Sequence, residues 1–213
     1  MSDLWVLDHD GTLYNDTLAH AEMRRLTSEY VSKVLGISIE ASAAELKRLK
    51  EKWKTAFSFI AWSKERQTSP DEFIQETYLR IDLPRCVTPF PDQSRRRALE
   101  RLTGRKVIFS NSPAVYVERV MRHCHLFDYF SDIVGMERLD YQPKPSTFSF
   151  EAVERCHPSF ERIIFCDNDR SNLDPARARG WKTILYQESA TVSMIDGHRV
   201  IRSLEELLEN EPS

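Results

Sequence analysis

The stretch "LWVLDHDGTLY", residues 4–14, decides how this chain is read. An apolar run, Leu4 to Leu7, leads without a break into Asp8, and Asp10 follows one residue later. A short continuous apolar run suits a strand covered on both faces, as in a parallel sheet flanked by helices. Gly11 then allows a tight turn. Neighbouring carboxylates at a strand end repel each other unless a cation sits with them. Ligands of open α/β sheets bind beyond the carboxyl ends of the strands, so this tip is a candidate site.

The same pattern recurs in "KVIF" (106–109), "RIIFC" (162–166) and "WKTILY" (181–186), and more weakly in "DIVG" (132–135). Helical patterns lie between the later runs. Residues 113–122 open on Pro113 after Ser112, residues 146–156 carry Phe148, Ala152 and Val153 on one side, and residues 172–179 stop at Gly180. "SLEELLEN" reads as a closing amphipathic helix. Strand alternating with helix predicts an α/β fold with a Rossmann-like parallel sheet and right-handed crossovers.

One interval breaks this rhythm. Residues 11–105 are far more than a crossover needs. Met23, Leu26, Tyr30 and Val34 have helical spacing, and Gly36 stops them. Leu46, Leu49, Trp53, Phe57 and Ile60 form a second apolar stripe. "SPDEFIQETYL" (69–79) predicts a third helix, with Ser69 as cap and Pro70 at the first position. The expected organisation is a helical domain over 15–84 inserted into a core made of 1–14 and 85–213, with Pro84, Pro89 and Pro91 marking the return.

Of 213 residues, 41% are hydrophobic and 30% charged, as in globular proteins. A net charge of −3 argues against general nucleic-acid or membrane-surface binding. No apolar run approaches the ~18 residues of a membrane span. The chain enters its first strand without a basic leader, and its four cysteines are scattered, so a cytoplasmic protein with reduced thiols is expected. "HCH" at 123–125 lacks a second ligand cluster nearby and reads as a helix end. Lys47, Arg48, Lys50, Lys52 and Lys54, interspersed with Glu45 and Glu51, read as a solvated face.

Each candidate strand ends in polar residues: Asp8 and Asp10, then Ser110-Asn111-Ser112, then Asp167-Asn168-Asp169, with Lys144 in "QPKPSTF" before a helix. A parallel sheet would bring them to one rim. Oxygen ligands of this kind suit magnesium, which often shares its shell with a substrate phosphate. Ser110 and helix N–H groups offer donors to an anion, and Lys144 offers a point positive charge. The set suits phosphoryl transfer, where positioning and charge neutralisation do most of the work. A carboxylate can attack phosphorus, and a second can protonate the leaving alkoxide and then activate water. Asp8 is the expected nucleophile, with one oxygen on the metal. Asp10 is the expected acid and base, contributing only its main-chain carbonyl to the metal.

"DHDGTLY", "FSN", "KP" and "DNDRSN", in that order and on the expected strand ends, resemble the haloacid dehalogenase superfamily of phosphohydrolases. The resemblance covers nearly the whole chain, and within the superfamily it is strongest to the pyrimidine 5′-nucleotidase group. It implies that the 15–84 insertion is a cap. It also implies magnesium-dependent removal of phosphate from a small phosphorylated substrate such as UMP or CMP. By matching positions it implies Asp8 as nucleophile, Asp10 as acid/base, Ser110, Asn111 and Lys144 on the phosphate, and Asp8, Asp10, Asp167 and Asn168 at the metal.

The chain departs from the family at Asn168, where an acid is usual; an amide oxygen coordinates without bringing charge, and Asp167 or Asp169 could supply the missing carboxylate. His9 stands where an apolar residue is usual and should point away from Asp8 as a packed side chain. Ser112 could cap its helix or join the site. Asn172 could orient the fourth motif, but a helix cap is the favoured reading. Phe57, Phe59 and Trp62 could stack on a base, though filling their own domain's core is the simpler reading. The rival functions are a catalytically weakened binding or regulatory protein, favoured by Asn168, and hydrolytic dehalogenation, which has no use for an acid at Asp10. Oligomeric state is not encoded legibly.

Overall fold

A computed structural model describes residues 3–88 and 94–209. Pro89 and Pro91, expected in the return linker, and Asn210 of the closing helix lie outside the described residues. The chain forms two compact units: Asp16–Val87 is one, and the segments on either side make the other.

The α/β unit is built on one seven-stranded sheet in the order β3-β2-β1-β4-β5-β7-β6. Its strands are β1 (Leu4–Leu7), β2 (Arg105–Phe109), β3 (Asp132–Val134), β4 (Ile163–Asp167), β5 (Lys182–Tyr186), β6 (Met194–Ile195) and β7 (His198–Ile201). All pair in parallel except β6 with β7. The first strand lies inside the sheet, between β2 and β4, and is buried at every position, which explains its unbroken apolar run. Leu7 lies level with Ile108 on one side and Cys166 on the other, so the strands end together. Phe109, Phe150, Phe165 and Trp181 pack edge to face beneath that rim, with centroids 5.5 Å apart for Phe109–Phe150 and 6.0 Å for Phe165–Trp181.

The helices of this unit include α6 (Ser94–Arg101), α7 (Ala114–His123), α8 (Thr147–Cys156) and α9 (Arg170–Ala178). The sequence gives little sign of α6, "SRRRALER", because only Ala98 and Leu99 supply its apolar face; Arg95 is buried by binding the Tyr186 hydroxyl at 2.6 Å and Glu188 at 3.1 Å. The β6–β7 hairpin was also not expected. Its signal is the pair Asp196-Gly197, whose φ values of 48° and 84° are those of a tight hairpin turn. The closing helix is a 3₁₀ helix, Leu204–Leu208, opened by a capping box between Ser203 and Glu206.

The helical unit contains α1 (Thr17–Leu35), α2 (Ile39–Lys52), α3 (Ser58–Arg66), α4 (Asp71–Glu76) and α5 (Leu83–Cys86). Gly36 ends α1 in a left-handed conformation, φ 66°. The second apolar stripe spans two helices, because Lys54 turns left-handed at φ 48° after α2, and the Trp53 indole ties the elbow to Glu65 at 2.9 Å. The third predicted helix is shorter than 69–79. It begins after Pro70 and gives way to a 3₁₀ turn at Tyr78–Arg80, since the Thr77 hydroxyl bonds back to the Phe73 carbonyl at 2.6 Å. Tyr30, Trp62 and Phe73 meet ring to ring in the core, at 5.3 Å for Tyr30–Phe73. Phe59 and Trp62 are buried and Phe57 is half-buried. Arg48 and Lys52 face solvent and pair with Glu45 and Glu65. Among the described residues no helix is long and apolar enough to cross a membrane.

Candidate active site

The shared strand ends place Asp8, Ser110 and Asp167 on one rim. Asp8 continues β1, and its N–H donates to the Cys166 carbonyl at 2.9 Å. Gly11, at φ 76°, turns the chain back so that Leu13 N–H reaches the His9 carbonyl at 3.0 Å. The turn puts the Thr12 hydroxyl on Asp8 Oδ2 at 3.0 Å.

Lys144 is the centre of the cluster. Its ammonium donates to Asp8 Oδ1 at 2.7 Å, to Asp167 Oδ2 at 2.8 Å and to the Phe109 carbonyl at 2.8 Å. Burial would lower the Lys144 pKa, but Asp167 and Asp8 outweigh it and hold the amine above the usual lysine value. Burial and the charge of Asp167 push Asp8 up to about 7 against the pull of Lys144. Part of the compensation sought for the paired acids is therefore a lysine of the chain itself. Two carboxylates, Asp8 and Asp167, still share this one ammonium, and oxygen ligands with that excess of charge fit a hard divalent cation.

The loop carrying Lys144 is held by Asn111. The Asn111 amide accepts from the Lys144 N–H at 2.7 Å and donates to the Lys144 carbonyl at 3.1 Å. Asn111 was expected on the phosphate; its side chain instead grips the backbone of the residue that carries the charge. Ser110 is buried, and its Oγ accepts the Ser112 N–H at 3.0 Å, a bond that uses a lone pair and not the hydroxyl proton.

Asp10 faces a different set. Tyr14 donates to Oδ1 at 2.6 Å and Ser112 donates to Oδ2 at 2.7 Å. Ser112 therefore serves the site and does not cap α7, whose N-cap position is Pro113 with no side-chain bond. The Tyr14 hydroxyl lies 3.1 Å from that of Tyr116, on α7. Burial, then Asp10 and Tyr116, raise Tyr14 well above the ordinary phenol value, so it stays a donor. His9 is fully buried with its ring 4.8 Å from Tyr14; Nδ1 lies 3.2 Å from Asp10 Oδ1, but neither ring nitrogen forms a hydrogen bond.

The fourth motif divides its labour. Asp167 faces Lys144, and its Oδ1 accepts the Asp169 N–H at 2.7 Å. Asn172 donates to Asp167 Oδ2 at 3.0 Å and so orients the motif, while Asp169 is the residue that caps α9, through Ser171 N–H at 2.9 Å. Between Asp167 and Asp169, the carboxylate in the cluster is Asp167. Asn168 is exposed at the turn between them. Tyr14, Tyr116 and Thr12 belong to the same hydrogen-bonded surroundings and were missed by sequence reasoning. Tyr14 was visible as a polar-tipped residue four positions after Asp10; nothing local marks Tyr116.

Comparison with known proteins bears on the fold and the family. A family model described as haloacid dehalogenase-like hydrolase matches residues 3–178. No curated protein matches the chain. Among solved structures, a HAD phosphatase from Thermococcus onnurineus is similar at 18% identity and a TM-score of 0.66, with 97% of this chain and 96% of that one covered. A 2-haloacid dehalogenase from Pseudomonas syringae is similar at 20% identity and a TM-score of 0.65, with the same coverages of 97% and 96%. The HAD-hydrolase YfnB from Bacillus subtilis, bound to magnesium, is similar at 19% identity and a TM-score of 0.60, again over 97% and 96%. At these identities the structures speak for the fold alone, but the family model spans most of the sequence: the chain belongs to the haloacid dehalogenase-like hydrolase family.

Proposed function

We propose that this chain is a magnesium-dependent phosphomonoesterase working through an aspartyl-phosphate, with small phosphorylated metabolites as substrates and pyrimidine nucleoside 5′-monophosphates foremost among them. The observation that carries the reading is the separation of roles between the two acids. Asp8 sits with Lys144 and Asp167, while Asp10 is turned onto the hydroxyls of Tyr14 and Ser112. Hydrolytic dehalogenation has no use for a second acid held in this way. Asp8, Asp167, Asn168 and the Asp10 main-chain carbonyl would hold magnesium, which when bound offsets charge on the phosphoryl oxygens.

In the first half-reaction an Asp8 oxygen forms a bond to phosphorus and the ester P–O bond breaks. Asp10 gives its proton to the leaving alkoxide. In the second, Asp10 takes a proton from water, whose oxygen displaces Asp8 and releases inorganic phosphate. Lys144 holds Asp8 in place and neutralises charge through both halves, and Ser110 donates to the phosphoryl group. Phe59 and Trp62 are engaged in the core of the helical unit, and Phe57 is the more accessible of the three aromatics. Four unpaired cysteines suit a cytoplasmic setting.

The test is turnover of para-nitrophenyl phosphate with magnesium and then EDTA, followed by a panel of nucleoside monophosphates and sugar phosphates. Turnover should disappear in EDTA and in Asp8→Asn. Asp10→Asn should bind phosphate normally and lose at least the ~10²-fold expected of a missing general acid. Activity retained by Asp8→Asn, or no turnover with any divalent cation, would end this reading.

A further inference from the structure

We propose that Tyr14, supported by Tyr116 and aided by Ser112, is a positioning residue that reserves the Asp10 carboxylate for proton transfer and keeps it from joining the Asp8–Asp167 oxygens as a metal ligand. The inference rests on the phosphatase reading for the role of Asp10, and on geometry for the rest. A carboxylate one residue from Asp8, on the turn that Gly11 permits at φ 76°, is close enough in the chain to compete for a divalent cation. In the structure both of its oxygens are already taken, Oδ1 by Tyr14 at 2.6 Å and Oδ2 by Ser112 at 2.7 Å. These donors come from separate elements: Tyr14 from the turn after β1, and Ser112 from the loop after β2.

The hydroxyl pair has a direction. Tyr14 has one proton, which points at Asp10, so the 3.1 Å contact with Tyr116 must be Tyr116 donating to Tyr14. Donation from Tyr116 polarises Tyr14 and strengthens its bond to the carboxylate. The arrangement is rigid as well. Tyr14 is fully buried, Tyr116 is 2% exposed, and the His9 ring packs against both, with centroids at 4.8 Å and 6.0 Å. His9, unusual for the family at this position, thus serves as backing for the phenol that holds Asp10.

The test uses Tyr14→Phe and Tyr116→Phe in the full chain, each checked for an unchanged circular dichroism spectrum. Tyr14→Phe should lose about tenfold or more in kcat with KM within twofold, and should bind magnesium at least threefold more tightly by calorimetry, because the released carboxylate can reach the ion. Tyr116→Phe should move both quantities in the same direction by less. The double variant should be no worse than Tyr14→Phe alone, as expected for residues acting in series. Wild-type kcat, wild-type magnesium affinity, or parallel changes in kcat and KM in Tyr14→Phe would each overturn the proposal. If the wild type hydrolyses no phosphate ester, the phosphatase reading fails, and the magnesium isotherms still decide whether Tyr14 restrains Asp10.

Discussion

At Asp8, burial and a neighbouring acid oppose the charge that the proposed nucleophile requires. Its pKa is pushed up to about 7 from an ordinary 3.8, burial being the larger cause and Asp167 the next. The native state therefore keeps a proton that the unfolded chain releases near 4. Stability from this group is full below the unfolded value and is lost as pH rises through about 7, at up to about 1.4 kcal/mol per pH unit. Urea midpoints measured in EDTA between about pH 5 and 8 should fall for the wild type relative to Asp8→Asn, which has no such proton. Magnesium should flatten the difference by stabilising the ionised form. Parallel curves for the two proteins would show that Asp8 ionises freely. That Asp8, Lys144 and Asp167 would meet on one rim was readable in the sequence because each sits at a strand end or in a short motif. Their hydrogen bonds were not, since a motif does not say which partner an oxygen faces. Asn111 and Asn172 show this most clearly: both amides turned out to orient other site residues.

At the level of elements, α9 separates two roles within three residues. Asp167 ends β4 and faces the cluster, and Asp169 opens the helix behind it. Asp169→Ala should cost the about 0.5–2 kcal/mol of a lost N-cap and leave the magnesium titration unchanged, because the N–H that holds Asp167 belongs to the backbone. A weakened titration would make Asp169 a ligand. Legibility followed burial here. β1, β2, β4 and β5 have continuous apolar runs and were located to within a residue or so. β6 and α6 were missed because a two-residue edge strand and a helix with a narrow apolar face bury too little to leave a pattern. β7 was missed because His198 and Arg199 interrupt its short apolar run, although it is paired on both sides. The second stripe misled through its continuity: Lys54 breaks the backbone without interrupting the apolar spacing.

At the scale of the molecule, each unit has its own core. The helical one depends on a handful of aromatic side chains. Phe59 is fully buried against Phe57 and Tyr78, with centroids at 6.0 Å and 5.6 Å. Phe59→Ala should cost about 3–5 kcal/mol of stability, read as a lower urea midpoint. A loss below about 1 kcal/mol would mean that the unit repacks around the gap, as loosely built cores can. The α/β unit gathers its chemistry differently, drawing side chains more than a hundred residues apart onto one rim by strand register. Lys144 is the exception, since no strand delivers it and its loop takes its shape from the amide of Asn111. The two positions thus form a single heritable unit. Grafting the lysine loop onto a relative that lacks the asparagine would transplant the charge and leave its aim behind.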